Sequence, residues 1–137
     1  MKKRAKPFIK KRPSMTEISH ALEMSDVLDA FSSKVISFTN EHQLKSMNAM
    51  LSIPLEEVAD GEVTLQNAAG DQSSFFVEID SKNYNGKRLA KKLEQLASLE
   101  GSVLMVTQSK VRVQRLQTFR QTYQNIQFVH FSDLSRI

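Results

Sequence analysis

The sequence predicts an α/β fold with a mixed central sheet flanked by helices, and three observations predict it. From residue 61 onward, strand-like and helix-like stretches alternate: "GEVTLQ", "SSFFVEID", "NGKRLAKKLEQLASLE", "SVLMVT", "KVRVQRLQTFRQTY" and "IQFVHF". They read as strand, strand, helix, strand, helix, strand. "SVLMVT" is apolar without alternation, as a strand buried on both faces is. Leu89, Leu93 and Leu96 fall at i, i+4 and i+7 and form one apolar helix stripe, while Lys87, Lys91 and Glu94 point outward.

The elements follow in chain order. Residues 1–13, "MKKRAKPFIKKRP", hold seven Lys and Arg, no acid and two prolines, without periodicity. They read as a flexible basic arm. Residues 14–137 read as a single domain. Ser14 and Glu17 have capping-box spacing and start a helix. Ser25 offers a second cap, followed by Val27, Leu28 and Phe31 on one side. "VISF" is a short strand, and "NEHQLKSMNAML" a helix with Leu44, Met47 and Leu51 at helical spacing. "NAAGDQ" is the turn between the strands "GEVTLQ" and "SSFFVEID".

Composition excludes several function classes. At 40% hydrophobic and 25% charged residues, the chain has the make-up of a soluble globular domain. With no cysteine it has neither a disulfide framework nor a thiolate metal site or nucleophile, which suits a cytoplasmic protein. Apolar runs fall far short of the roughly 18 residues of a membrane span, and no apolar segment follows the basic start as in a secretory signal. Nucleotide-binding glycine loops, Ser/His/Asp patterns and zinc spacings are missing. His20, His42 and His130 have no ligand spacing and read as structural.

Charge is unevenly spread. The arm is wholly basic, residues 14–100 carry seven basic and fourteen acidic groups, and residues 101–137 carry five basic groups against Asp133. An acidic centre between basic ends suits a protein that grips DNA backbone with cations while carboxylates hold a metal. Lys2, Lys3, Arg4, Lys10, Lys11 and Arg12 of the arm, with Arg112 and Arg115 of the penultimate helix, are the candidate DNA contacts. Lys87, Arg88, Lys91 and Lys92 read first as a solvated helix face.

"SSFFVEIDSK" raises the central question. Alternation puts Phe75, Val77 and Ile79 on one face and Phe76, Glu78 and Asp80 on the other. The Glu78 and Asp80 α-carbons would then stand about 6.6 Å apart. Two carboxylates so close on an apolar strand call for open water or a cation. Open water is the reading of an exposed hairpin. For a cation, the hairpin brings Asp60, just before Gly61, beside Glu78 and Asp80, and three carboxylates suit a hard divalent ion, Mg²⁺ or Mn²⁺, and phosphoryl chemistry.

An Asp at a strand entrance, a hairpin, a strand with E-x-D and a lysine-bearing helix resemble the PD-(D/E)XK nuclease core, which is a restriction-endonuclease-like fold. Within that superfamily, "SHALEMSDVLDAF", "ISFTNEH", "ADGEVTL", "FFVEIDS", "AKKLEQL" and "VLMVTQSKVRVQRL" follow the order of the plasmid replication-relaxation (MobC-type relaxase) family. The likeness spans roughly residues 19–116. It implies a Mg²⁺-dependent DNA endonuclease or nickase of a plasmid, phage or other mobile element, working with other proteins of a DNA-processing complex. By position, Asp60 and Glu78 would be the main metal ligands, Asp80 an additional ligand or a group behind them, and Glu41 the helix acid completing the set. Two positions depart from the pattern: Ala59 replaces the motif proline, and Asp80 stands where the E-x-K lysine would. Lys92, Lys91 or Lys82 would supply that amine, and Lys92 borders the apolar stripe, from which its ammonium reaches toward the sheet. Glu78, Asp80 and Lys92 are therefore the candidate catalytic residues. The alternative is a catalytically inactive DNA-binding or partner-binding protein on the same fold.

Overall fold

The computed structural model describes residues 15–31, 34–50, 59–80 and 85–137. The basic arm, the Ser14 cap, Leu51 and Lys82 lie outside them. The elements are α1 (Met15–Phe31), β1 (Val35–Asn40), α2 (Glu41–Met50), β2 (Gly61–Gln66), β3 (Gln72–Ile79), α3 (Gly86–Ala97), β4 (Val103–Thr107), α4 (Lys110–Gln117) and β5 (Ile126–His130), followed by a 3₁₀ turn over Phe131–Arg136. No described helix is long and apolar enough to cross a membrane.

The five strands lie in the order β1-β2-β3-β4-β5. β1, β2 and β3 form an antiparallel meander. β4 and β5 then add in parallel, each reached through a helix. The tight β2–β3 connection is built by Asn67, whose side-chain oxygen accepts from the Ala69 and Asp71 N–H groups at 3.0 and 2.9 Å. Gly70 turns the chain there at φ 88, a left-handed value that favours glycine. At Gly61 the constraint is space instead: a Cβ would lie 2.7 Å from Phe38 Cε1 and 3.3 Å from the Thr39 carbonyl oxygen.

Two apolar layers sandwich the sheet. On one side Val63, Leu65, Val77, Ile79, Leu104, Val106 and Val129 meet Met24, Val27 and Phe31 of α1 and Leu134 of the final turn. Phe31 packs edge-on against Phe75 at 5.6 Å between ring centroids. On the other side Val103, Met105, Ile126 and Phe128 meet Leu89, Leu93 and Leu96 of α3 and Leu116 of α4, with Phe76 partly buried among them. All five β4 residues are buried, as the uninterrupted apolar run implied. The face of β3 that carries Glu78 and Asp80 is thus the face under α3 and α4.

Two local expectations are corrected. Ser25 does not start a new helix; α1 runs unbroken through it, because Met24, Val27 and Phe31 form one continuous buried stripe and Ser25 is exposed on the other side. α4 stops at Gln117 instead of running on to Tyr123. Thr118 donates its hydroxyl to the Arg115 carbonyl at 2.8 Å, and the chain proceeds by tighter turns such as Phe119 N–H to Leu116 O at 2.9 Å. Phe119 and Tyr123 thereby pack on the α3-side core. In α2 only Leu44 of the described apolar positions is buried, and Met47 is 52% exposed.

Candidate functional site

Sheet register builds the site. Gly61 pairs with Val77, so Asp60, one residue before β2, falls level with the end of β3. Its Oδ2 accepts the Ile79 N–H at 2.7 Å. Glu78 neighbours Ile79 on the α3 face and is 1% exposed. Above it, Lys92 extends from the border of the α3 stripe and places Nζ 3.1 Å from Glu78 Oε1, with 15% of its side chain exposed. That contact is an ion pair by distance, but Oε1 has no well-directed hydrogen bond.

The electrostatics of Glu78 pull in two directions. Burial favours the neutral acid most strongly, and the nearby Asp60 carboxylate adds to it. Lys92, by its positive charge, favours the carboxylate. Burial dominates, and the Glu78 carboxyl is held well above its ordinary range.

Asp80 lies just past the end of β3 and still continues the ladder, donating its N–H to the Val106 carbonyl at 2.8 Å. Arg112 clamps its carboxylate in a two-pronged bond: Nε donates to Oδ2 at 2.8 Å and Nη2 to Oδ1 at 3.1 Å. The Asp80 side chain is 0% and that of Arg112 9% exposed. The third guanidinium nitrogen, Nη1, donates to Asn85 Oδ1 at 2.9 Å. Arg112 is itself fixed at the start of α4, where its N–H donates to the N-cap Ser109 hydroxyl at 3.2 Å. The two carboxylates on one apolar face are thereby explained: each has its own cation, Lys92 from α3 and Arg112 from α4.

Of the sequence-predicted residues, Asp60, Glu78 and Lys92 meet. Asp80 stands beside them but is engaged by Arg112. Glu41 opens α2, where it is paired with Lys45 at 2.9 Å and its side chain is 44% exposed. The described residues contain no group of three or more acids or histidines arranged to hold a metal, so the expected four-carboxylate set is not drawn together. Arg112, expected to face DNA, is buried in its bond to Asp80, whereas Arg115 is exposed. The arm residues Lys2, Lys3, Arg4, Lys10, Lys11 and Arg12 lie outside the described residues. Asn85 was not anticipated. Its signal was the "NG" that opens α3, and the signal for Arg112's inward role was its place one turn before Leu116, at i and i+4 on one helix face.

To a divalent cation the residues present would offer two carboxylates. Mg²⁺ commonly takes one or two protein carboxylates and keeps water elsewhere. Asp60 is half-buried beside the fully buried Glu78, whose Oε1 lacks a directed hydrogen bond. Asp60 and Glu78 are the pair that would hold the ion. No family model matches the chain, and no curated protein or solved structure matches it.

Proposed function

We propose that the chain is a DNA-processing protein of a plasmid or other mobile element that hydrolyses a phosphodiester bond, as a Mg²⁺- or Mn²⁺-dependent endonuclease or nickase. The observation that carries the reading is the meeting of Asp60, Glu78 and Lys92 at one end of the sheet. It is supported by the order of the elements around them: an antiparallel meander with an Asp at the entrance of β2 and a Glu in β3, then a lysine-bearing helix and a parallel strand. That is the order the PD-(D/E)XK resemblance calls for, with the lysine moved from the strand to the helix.

In this reading Asp60 and Glu78 hold the cation. A bound divalent ion there supplies electrophilic polarisation of a phosphate and a lowered pKa for water. Lys92 holds its ammonium beside the same carboxylate, where it stabilises negative charge developing on the scissile phosphate. The apolar layer around Glu78 keeps bulk water from its inner side, so that these charges act at short range and low screening. The basic arm and Arg115 grip flanking phosphates without reading bases.

Nicking of supercoiled plasmid in Mg²⁺ or Mn²⁺ tests the proposal. Glu78→Gln should abolish nicking and Lys92→Ala should lower it by about 10²-fold, with DNA affinity retained in both. The second reading, an inactive DNA-binding or partner-binding protein on this fold, is favoured by one observation: Asp80 occupies the triplet-lysine position and is neutralised by Arg112. DNA binding without nicking by the wild type would decide for it.

A further inference from the structure

Arg112 joins two points that the chain itself connects by a separate route. Its Nε and Nη2 hold Asp80, at the exit of β3, and its Nη1 holds Asn85, the residue that opens α3. One guanidinium from α4 therefore bridges both ends of the β3–α3 connection. We propose that Asp80, Arg112 and Asn85 are positioning residues: their three-way bond sets where α3 sits on β3 and thereby holds Lys92 against Glu78.

The geometry carries this in three steps. A guanidinium is planar and its donors diverge at fixed angles, so bonding Asp80 and Asn85 together fixes their relative placement, which a single-point cation would not do. Asn85 stands at the N-cap of α3, so the Arg112 contact takes hold where the helix begins. Lys92 lies seven residues into the helix from Asn85, about 10 Å or two turns along a rigid rod. A shift at the start of α3 is therefore delivered to the ammonium. Asp80, in this account, anchors Arg112 and is not a metal ligand. The proposal rests on the nuclease reading for what Lys92 does, and on the geometry alone for where Lys92 is held.

The test follows Lys92 itself, by amine acylation of the full-length protein and mass spectrometry, with exposed Lys87 and Lys91 as internal controls. Two variants are compared with wild type. Asn85→Ala cuts one arm of the bond at an exposed position. The double variant Asp80→Asn/Arg112→Gln removes both buried charges together, which avoids leaving one unpaired and so keeps the fold. The expected result is that Lys92 labelling rises at least about threefold in both variants through local loosening of α3, with Lys87 and Lys91 unchanged. If the protein nicks DNA, kcat should fall about 10-fold in Asn85→Ala with KM nearly unchanged, a misplacement effect. Lys92 labelling that stays at the wild-type rate in both variants would overturn the proposal, and it would leave the pair with a purely stabilising role. A wild type that does not nick would defeat the nuclease reading, while the labelling would still decide the positioning role.

Discussion

Lys92 Nζ lies 3.1 Å from Oε1 of Glu78, yet it does not bring that carboxyl into the ordinary range. The partners are unequal: Glu78 is 1% exposed, whereas 15% of the Lys92 side chain is open to solvent. A cation with one side in water offsets only part of the cost of removing an anion from water entirely.

This imbalance fixes a pH dependence. Because the folded-state carboxyl is raised, folding favours the protonated acid. Its contribution to stability is full below the carboxyl's unfolded value and is lost as pH rises through the raised one. Glu78→Gln should therefore melt higher than wild type at pH 8, with the gap closing toward pH 4. Parallel melting curves across that range would contradict the assignment.

The same proton links metal binding to pH. An ion held by Asp60 and Glu78 must displace the Glu78 proton, so affinity should strengthen as pH rises. At an ion concentration 100 times Kd, the stabilisation would be about 2.7 kcal/mol. Thermal melts in Mg²⁺ or Mn²⁺ at several pH values measure it. Asp60→Asn should erase the shift and Asp80→Asn should preserve it.

Gly61 supplies a prediction about packing. Gly61→Ala would drive a Cβ to 2.7 Å from Phe38 Cε1, a ring partly buried against the α1-side core. The overpacking should cost about 1–3 kcal/mol, read from urea denaturation. A variant within 0.5 kcal/mol of wild type, itself about the margin for a neutral surface change, would mean that the ring moves aside freely.

The basic arm should add affinity without sequence choice. Deleting residues 1–13 removes seven positive charges and should weaken binding to all DNA sequences alike. For every phosphate that the arm neutralises, its removal should flatten the log–log salt dependence by about 0.9. Titrations at several salt concentrations on two unrelated duplexes measure this, and an unaltered slope would show that the arm does not touch the backbone.

What was legible in the sequence was local. β2 could be read because Val63 and Leu65 alternate with Glu62 and Thr64, and α3 because its leucines keep helical period. Lys92 was legible for the same reason, since a residue at the border of a buried stripe has one direction in which to reach. The Asp80–Arg112 bond was not, because its partners are 32 residues apart and belong to elements whose contact depends on the whole sheet. The ends of helices were misread where tertiary packing outweighed a local cue: Ser25 was carried through by the buried stripe of α1, and Phe119 was drawn onto the core beyond α4. The closing 3₁₀ turn had no periodic pattern to reveal it. It is held by His130, whose Nδ1 accepts from the Ser132 N–H at 3.1 Å.

The change from antiparallel to parallel pairing at β3 has a consequence for how the chain acquires its charge balance. The β2–β3 hairpin closes by one short local turn, while the parallel strands wait for crossovers through α3 and α4. Asp60, Glu78 and Asp80 all belong to the early part, and Lys92 and Arg112 arrive only with the later helices. An intermediate folded through β3 alone would hold three acids at one end with neither counter-charge, and mutual repulsion would keep that end splayed. Docking of α3 and α4 both neutralises and closes it. Assembly of the site is therefore coupled to completion of the sheet.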